Sequence, residues 1–132
     1  MAWEVEYTDE FEAWWRSLDE DEQDDLAVSV KLLQAYGPHL GYPHSSGVRG
    51  SRYAHLRELR TQSGGRPLRT LYAFDPRRVA ILLIGGDKTG KDDWYARFVP
   101  AADKIYAQHL LEIAREEQHG QKIRPTARPD ES

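Results

Sequence analysis

The chain has 132 residues, 39% hydrophobic and 30% charged, with a formal net charge of −4 and no cysteine. This is the size of one domain with a single core, and the missing cysteines exclude disulfides, thiolate nucleophiles and cysteine-ligated zinc. No window approaches the roughly 18 apolar residues of a membrane span, and the acidic start MAWEVEYTDE lacks the order of a signal peptide, so a cytoplasmic protein without a membrane partner is expected.

The charge is unevenly spread. Residues 1–36 hold 11 acidic side chains against Arg16 and Lys31, a net of −9, which leaves +5 for the remainder. Segregation of this kind creates a local positive field on an acidic protein.

In chain order, Trp3–Tyr7 alternates in polarity and predicts a first strand. Thr8 is a good N-cap, with Asp9 and Glu10 in the first turn where the helix dipole favours anions. Phe11, Trp14, Trp15 and Leu18 recur at helical spacing, which makes the paired tryptophans core residues rather than a base-stacking platform. A second helix begins around Ser17–Glu20, with Ser17 or Asp19 as its cap. It carries Leu26, Val30 and Leu33 on one face and stops at Gly37-Pro38. The acidic run Asp19–Asp25 reads as its solvated start.

Residues 37–52 read as a loop by composition, and the five-residue separation of His39 and His44 has no metal-site geometry. Leu56–Arg60, Leu68–Phe74 and Val79–Ile84 read as three strands. They are joined by turns at Gln62–Gly65 and Asp75–Arg78, and so form an antiparallel meander. The continuous apolar run Val79–Ile84 predicts a central strand buried on both faces. Cations interrupt this apolar sheet at Arg57, Arg60 and Arg69, and the loop after it carries Lys88 and Lys91.

A final helix is expected from Pro100, with Ile105, Leu110 and Ile113 as its stripe and Tyr106 and His109 beside it, ending at Gly120. The fold class is α+β, in the order β-α-α-β-β-β-α. It has a curved, mostly antiparallel sheet, a helical hairpin on one face, and the last helix at an edge or across an end. Residues 1–118 form the single domain and 119–132 a flexible tail.

Gly85–Lys91 matches G-x-x-x-x-G-K, but Asp92 and Asp93 follow where a phosphate-binding loop needs Ser or Thr, and two carboxylates there would repel phosphate. Nucleotide hydrolysis is rejected.

The order of elements, Gly50, the Glu58-Leu59-Arg60 triplet, the turn glycines before Arg69-Thr70-Leu71-Tyr72, and the apolar strand running into Gly-Asp-Lys-Thr together resemble the RelE/ParE superfamily of type II toxin–antitoxin toxins. The closest resemblance is to its HigB-like, phage-Gp49-like branch. It spans residues 3 to about 115. It implies a toxin that enters the ribosomal A site and cleaves mRNA, silenced by a cognate antitoxin, itself a small helix-turn-helix protein, and needing no metal or other cofactor.

In metal-free RNA cleavage the ribose 2′-hydroxyl is the nucleophile. The protein must take its proton, stabilise charge on the pentavalent phosphate and protonate the leaving oxygen. Arginine suits the middle task, because its planar fork pairs with phosphate oxygens and stays charged. Arg60 and Arg69, on neighbouring strands, are the expected phosphate ligands. Lys88 joins them in holding phosphate and Tyr95 as a proton donor or base-stacking ring, and these four make up the expected catalytic set. Arg49, Arg57 and Lys91 are expected to bind RNA, with Arg57 on the face opposite Arg60. Asp87 or Glu58 would serve as the base or orient an arginine. Two other readings share this scaffold: a ParE-like toxin that binds DNA gyrase without catalysis, and an inactive phage-derived binding module.

Overall fold

The computed structural model describes residues 2–119, with side chains to residue 117. Its elements are β1 (Val5–Tyr7), α1 (Asp9–Ser17), α2 (Glu20–Tyr36), β2 (Ser45–Gly47), β3 (Arg57–Ser63), β4 (Arg66–Phe74), β5 (Ala80–Asp87) and α3 (Trp94–His119). The five strands form one sheet in the order β1-β5-β4-β3-β2; β1 runs parallel to β5 and every other pair is antiparallel. The α+β class and the expected element order hold, with one added strand. Apart from His119, which is helical, the tail expected over 119–132 lies outside the described residues. No helix among the described residues is long and apolar enough to cross a membrane.

Local chemistry accounts for the helix starts. The Thr8 hydroxyl accepts from the Phe11 amide at 3.1 Å and donates to the Leu83 carbonyl at 2.6 Å, so one side chain caps α1 and ties it to β5. Asp19, not Ser17, caps α2, in a reciprocal box with Glu22 at 2.8 and 2.9 Å. Gly37, at φ 55°, ends α2 with the Trp3 ring packed where a Cβ would stand.

The sheet carries two cores. Leu59, Tyr72, Ala80 and Leu82 face α1 and α2, together with Phe11, Trp15, Leu26 and Leu33. Leu71, Ala73, Ile81 and Leu83 face α3, where Trp94, Ala102 and Tyr106 complete the second core. The last helix therefore covers the opposite face of the sheet instead of an edge or end, because β4 and β5 are apolar on both sides. β5 is the buried centre that its composition predicts: Ala80 to Leu83 are at most 2% exposed.

Three boundaries differ from expectation. Ser45–Gly47, read as loop, is a strand, because it pairs with Arg57–Leu59 at the sheet edge. The turn after β3 is confined to Gly64-Gly65, whose φ values of 56° and 81° are those of a tight hairpin, so β3 continues through Ser63. The final helix starts at Trp94, and Pro100 lies inside it. An interior proline costs about 3 kcal/mol, whereas each large side chain buried returns about 1.5–3 kcal/mol. Trp94 is fully buried, Val99 is nearly so, and the Phe98 ring stacks on Trp94 at 4.3 Å, which outweighs the lost hydrogen bond.

Candidate functional site

Glu58 lies on β3 and its side chain is 5% exposed. A residue two places along a strand shares its face, so Arg60 stands beside it, and register sets Arg69 of β4 directly opposite Arg60. Both arginines turn to the one carboxylate: Arg60 Nη1 is 3.0 Å from Oε2 and Arg69 Nε is 3.7 Å from Oε1. Ser46 of β2 donates to Oε2 at 2.6 Å, and the Tyr95 hydroxyl, from the first turn of α3, donates to Oε1 at 2.5 Å. Lys88, just after β5, places Nζ 3.4 Å from the Tyr95 oxygen and 4.9 Å from its ring centre.

The electrostatics follow from this crowding. Burial pushes the Glu58 carboxyl up, but hydrogen bonds from Ser46, Tyr95 and Arg60 and the charge of Arg69 outweigh it, so the group sits below the usual glutamate range. Burial and the Glu58 carboxylate push the Tyr95 phenol up, which keeps it protonated and a donor. Arg69 is 6% exposed and also donates to the Leu68 carbonyl at 3.0 Å. Arg60 is more open; its Nε donates to the Pro43 carbonyl at 3.1 Å and its guanidinium lies over the Tyr42 ring.

Two open hollows flank the cluster. One, of about 440 Å³, lies between α2 and β3 and is lined by residues that include Asp25, Pro43, His44, Arg60, Gln62 and Arg69. The other, of about 340 Å³, lies between Gly47, Val48, Arg49, Glu58 and Tyr95.

Arg60, Arg69 and Tyr95 thus meet around one carboxylate, Lys88 joins them through Tyr95, and Arg49 lines the second hollow. Lys91 is exposed in the loop that carries Lys88, and its amide donates to the Lys88 carbonyl at 3.1 Å. Arg57 does not join them. It turns to the α1–α2 face, where Nε donates to Ser45 Oγ at 3.0 Å. Of the two carboxylates considered as base, Glu58 is the centre of the cluster. Asp87 is tied down by Thr89, through its amide at 2.9 Å and its hydroxyl. Sequence reasoning missed the central place of Glu58, although its spacing from Arg60 was a signal; Ser46, in a segment read as loop, carried none.

The phosphate-loop lookalike is no anion nest. Gly85 and Gly86 are strand residues pressed by aromatic rings on both sides: a Cβ on Gly85 would overlap Trp14, and one on Gly86 would stand 2.9 Å from Trp94 Nε1.

Comparison with known proteins agrees with this architecture. The family model "Phage derived protein Gp49-like" matches residues 13–107. The chain is 41% identical over 103 residues to the putative toxin HigB2 of Mycobacterium tuberculosis, covering 76% of this chain and 51% of that protein. It is 40% identical over 94 residues to the putative toxin HigB3 of the same organism, covering 70% of this chain and 81% of the other. The match to the first thus spans about half of that relative's length. A mutant of Escherichia coli toxin RelE, solved in the free state, has the same fold, with a TM-score of 0.53 at 14% identity over 86% of this chain and 99% of that one. The chain belongs to the Gp49-like family, as a HigB-like member with the RelE fold.

Proposed function

We propose that this protein is the toxin of a type II toxin–antitoxin module and arrests translation by cleaving mRNA on the ribosome. The observation that carries the reading is the convergence of Arg60, Arg69 and Tyr95 on the carboxylate of Glu58, with Lys88 against Tyr95, between two open hollows. The two named HigB toxins support the first half of the reading.

The chemistry follows from charge. Attack by a ribose 2′-hydroxyl on the adjacent phosphorus puts negative charge on the phosphate oxygens, and preorganised cations aimed there lower the barrier. Arg60, the more open of the two arginines, faces that charge. Arg69 holds Glu58 from behind, and Glu58 keeps the Arg60 fork in a fixed orientation. Lys88 and Arg49 approach from the other side. Tyr95, kept protonated, donates to an oxygen that gains charge, the leaving 5′-oxygen included. A cognate antitoxin, a small helix-turn-helix protein, silences the toxin by covering this cluster.

Primer extension on mRNA in a translating extract tests the reading. With the wild-type chain, new 5′ ends are expected within codons and only when ribosomes are present, and Arg60→Ala removes them. Intact mRNA together with inhibited gyrase supercoiling would assign the scaffold to a non-catalytic gyrase toxin instead.

A further inference from the structure

Tyr42 has no part in the cluster, yet it is 75% exposed, the most open of the large hydrophobic side chains among the described residues. It is also not a free-swinging ring. The Arg60 guanidinium lies over it, with Cζ 5.1 Å from the ring centre, and Arg60 is held by the Pro43 carbonyl at 3.1 Å and by Glu58 at 3.0 Å. The residue after Tyr42, Pro43, lines the 440 Å³ hollow with His44, Arg60 and Gln62. The ring is therefore fixed beside Arg60, with one face against the cation and three-quarters of its surface in water. An open, pre-oriented aromatic face next to an arginine is what an unpaired nucleobase stacks on, and such stacking is indifferent to which base it is.

Arg60 lines one hollow and Glu58, 3.0 Å from its guanidinium, lines the other. A phosphate held on Arg60 would stand next to the Tyr42 ring, whose centre is 5.1 Å from the guanidinium carbon. We propose that Tyr42 is the stacking platform for the base adjoining the scissile phosphate, with the hollow beside Pro43, His44 and Gln62 receiving that base's edge. This rests on the nuclease reading given above and adds to it a base subsite.

Two measurements on the full chain test it. In the first, a short labelled single-stranded RNA carrying 2′-methoxy groups, which block cleavage, is titrated with wild type, Tyr42→Ala, Tyr42→Phe and Tyr42→Trp. Tyr42→Ala is expected to bind about fivefold to a hundredfold more weakly, the range for loss of one base–aromatic stack, whereas Phe and Trp retain binding. When the RNA carries an abasic nucleotide at the stacked position, wild type falls to the level of Tyr42→Ala. Equal binding by wild type and Tyr42→Ala, no binding by wild type, or loss on Tyr42→Ala that persists with abasic RNA overturns the subsite. In the second, primer extension with ribosomes shows whether wild type cleaves at all. Cleavage by wild type with unchanged sites and efficiency in Tyr42→Ala refutes the platform alone, whereas absent cleavage refutes the nuclease reading itself. Tyr42 is a surface residue, so the alanine variant folds; matching circular dichroism spectra verify this.

Discussion

Glu58 makes four polar contacts from a nearly closed position, and they decide how the site responds to substitution and to pH. Glu58→Gln removes the charge that Arg60 and Arg69 share and leaves a 6%-exposed guanidinium without its counter-ion. The variant should lose about 1–3 kcal/mol of stability in urea unfolding, since a buried polar partner is left unsatisfied. The folded carboxyl binds its proton less readily than the unfolded one. Its contribution to stability is therefore complete above the ordinary glutamate range and drains away as pH falls through the lower folded value. Wild-type stability should drop more steeply than that of Glu58→Gln as pH is lowered below about 5, and parallel slopes would show that Glu58 is not the group responsible. The alternation of Glu58-Leu59-Arg60 made a shared face legible in the chain. The convergence of Ser46 and Tyr95 on the same carboxylate was not, because it depends on a strand pairing and a helix docking that no local pattern encodes.

At the level of elements, β5 is both the centre of the sheet and the surface against which helices pack on both sides. A bulge displaces Leu83, and beyond it Gly85 and Gly86 turn to opposite faces, one against Trp14 of α1 and the other against Trp94 and Phe98 of α3. Gly85→Ala forces a methyl group into the Trp14 ring and should destabilise the fold by about 1–3 kcal/mol, measured as a shift in the urea midpoint. An unchanged midpoint would mean that α1 slides freely over the sheet. These glycines sit in a stretch that looks like a phosphate loop, and only the carboxylates of Asp92 and Asp93 argued otherwise from sequence. The start of α3 was misplaced for a related reason. Pro100 is a strong local signal for a helix beginning, and it yields to the burial of Trp94 one and a half turns earlier. β2 went unseen because Ser45-Ser46-Gly47 has no apolar alternation; its strand state comes from its partner.

Across the whole molecule, the acidic first two helices are set apart from the cations that surround Glu58. The acidic residues of α1 and α2 lie over one side of the sheet, while Arg49 and Lys88 stand beside Tyr95 on the other. The cations around Glu58 thus offer an approach to a polyanion on an otherwise acidic protein. Binding of single-stranded RNA should weaken with salt, with a log–log slope of about −3 if about four phosphates are engaged. A slope near zero would mean that these cations do not touch the backbone.

The account stands on the claim that this cluster speeds phosphodiester cleavage by stabilising charge. The most direct measurement is the single-turnover rate of mRNA cleavage on programmed ribosomes, with toxin in excess, for wild type, Arg60→Ala, Lys88→Ala and Tyr95→Phe. Loss of one such donor is expected to lower the rate on the order of 10²–10³ for Arg60→Ala, with ribosome binding unchanged. Wild-type rates in all three variants would contradict it.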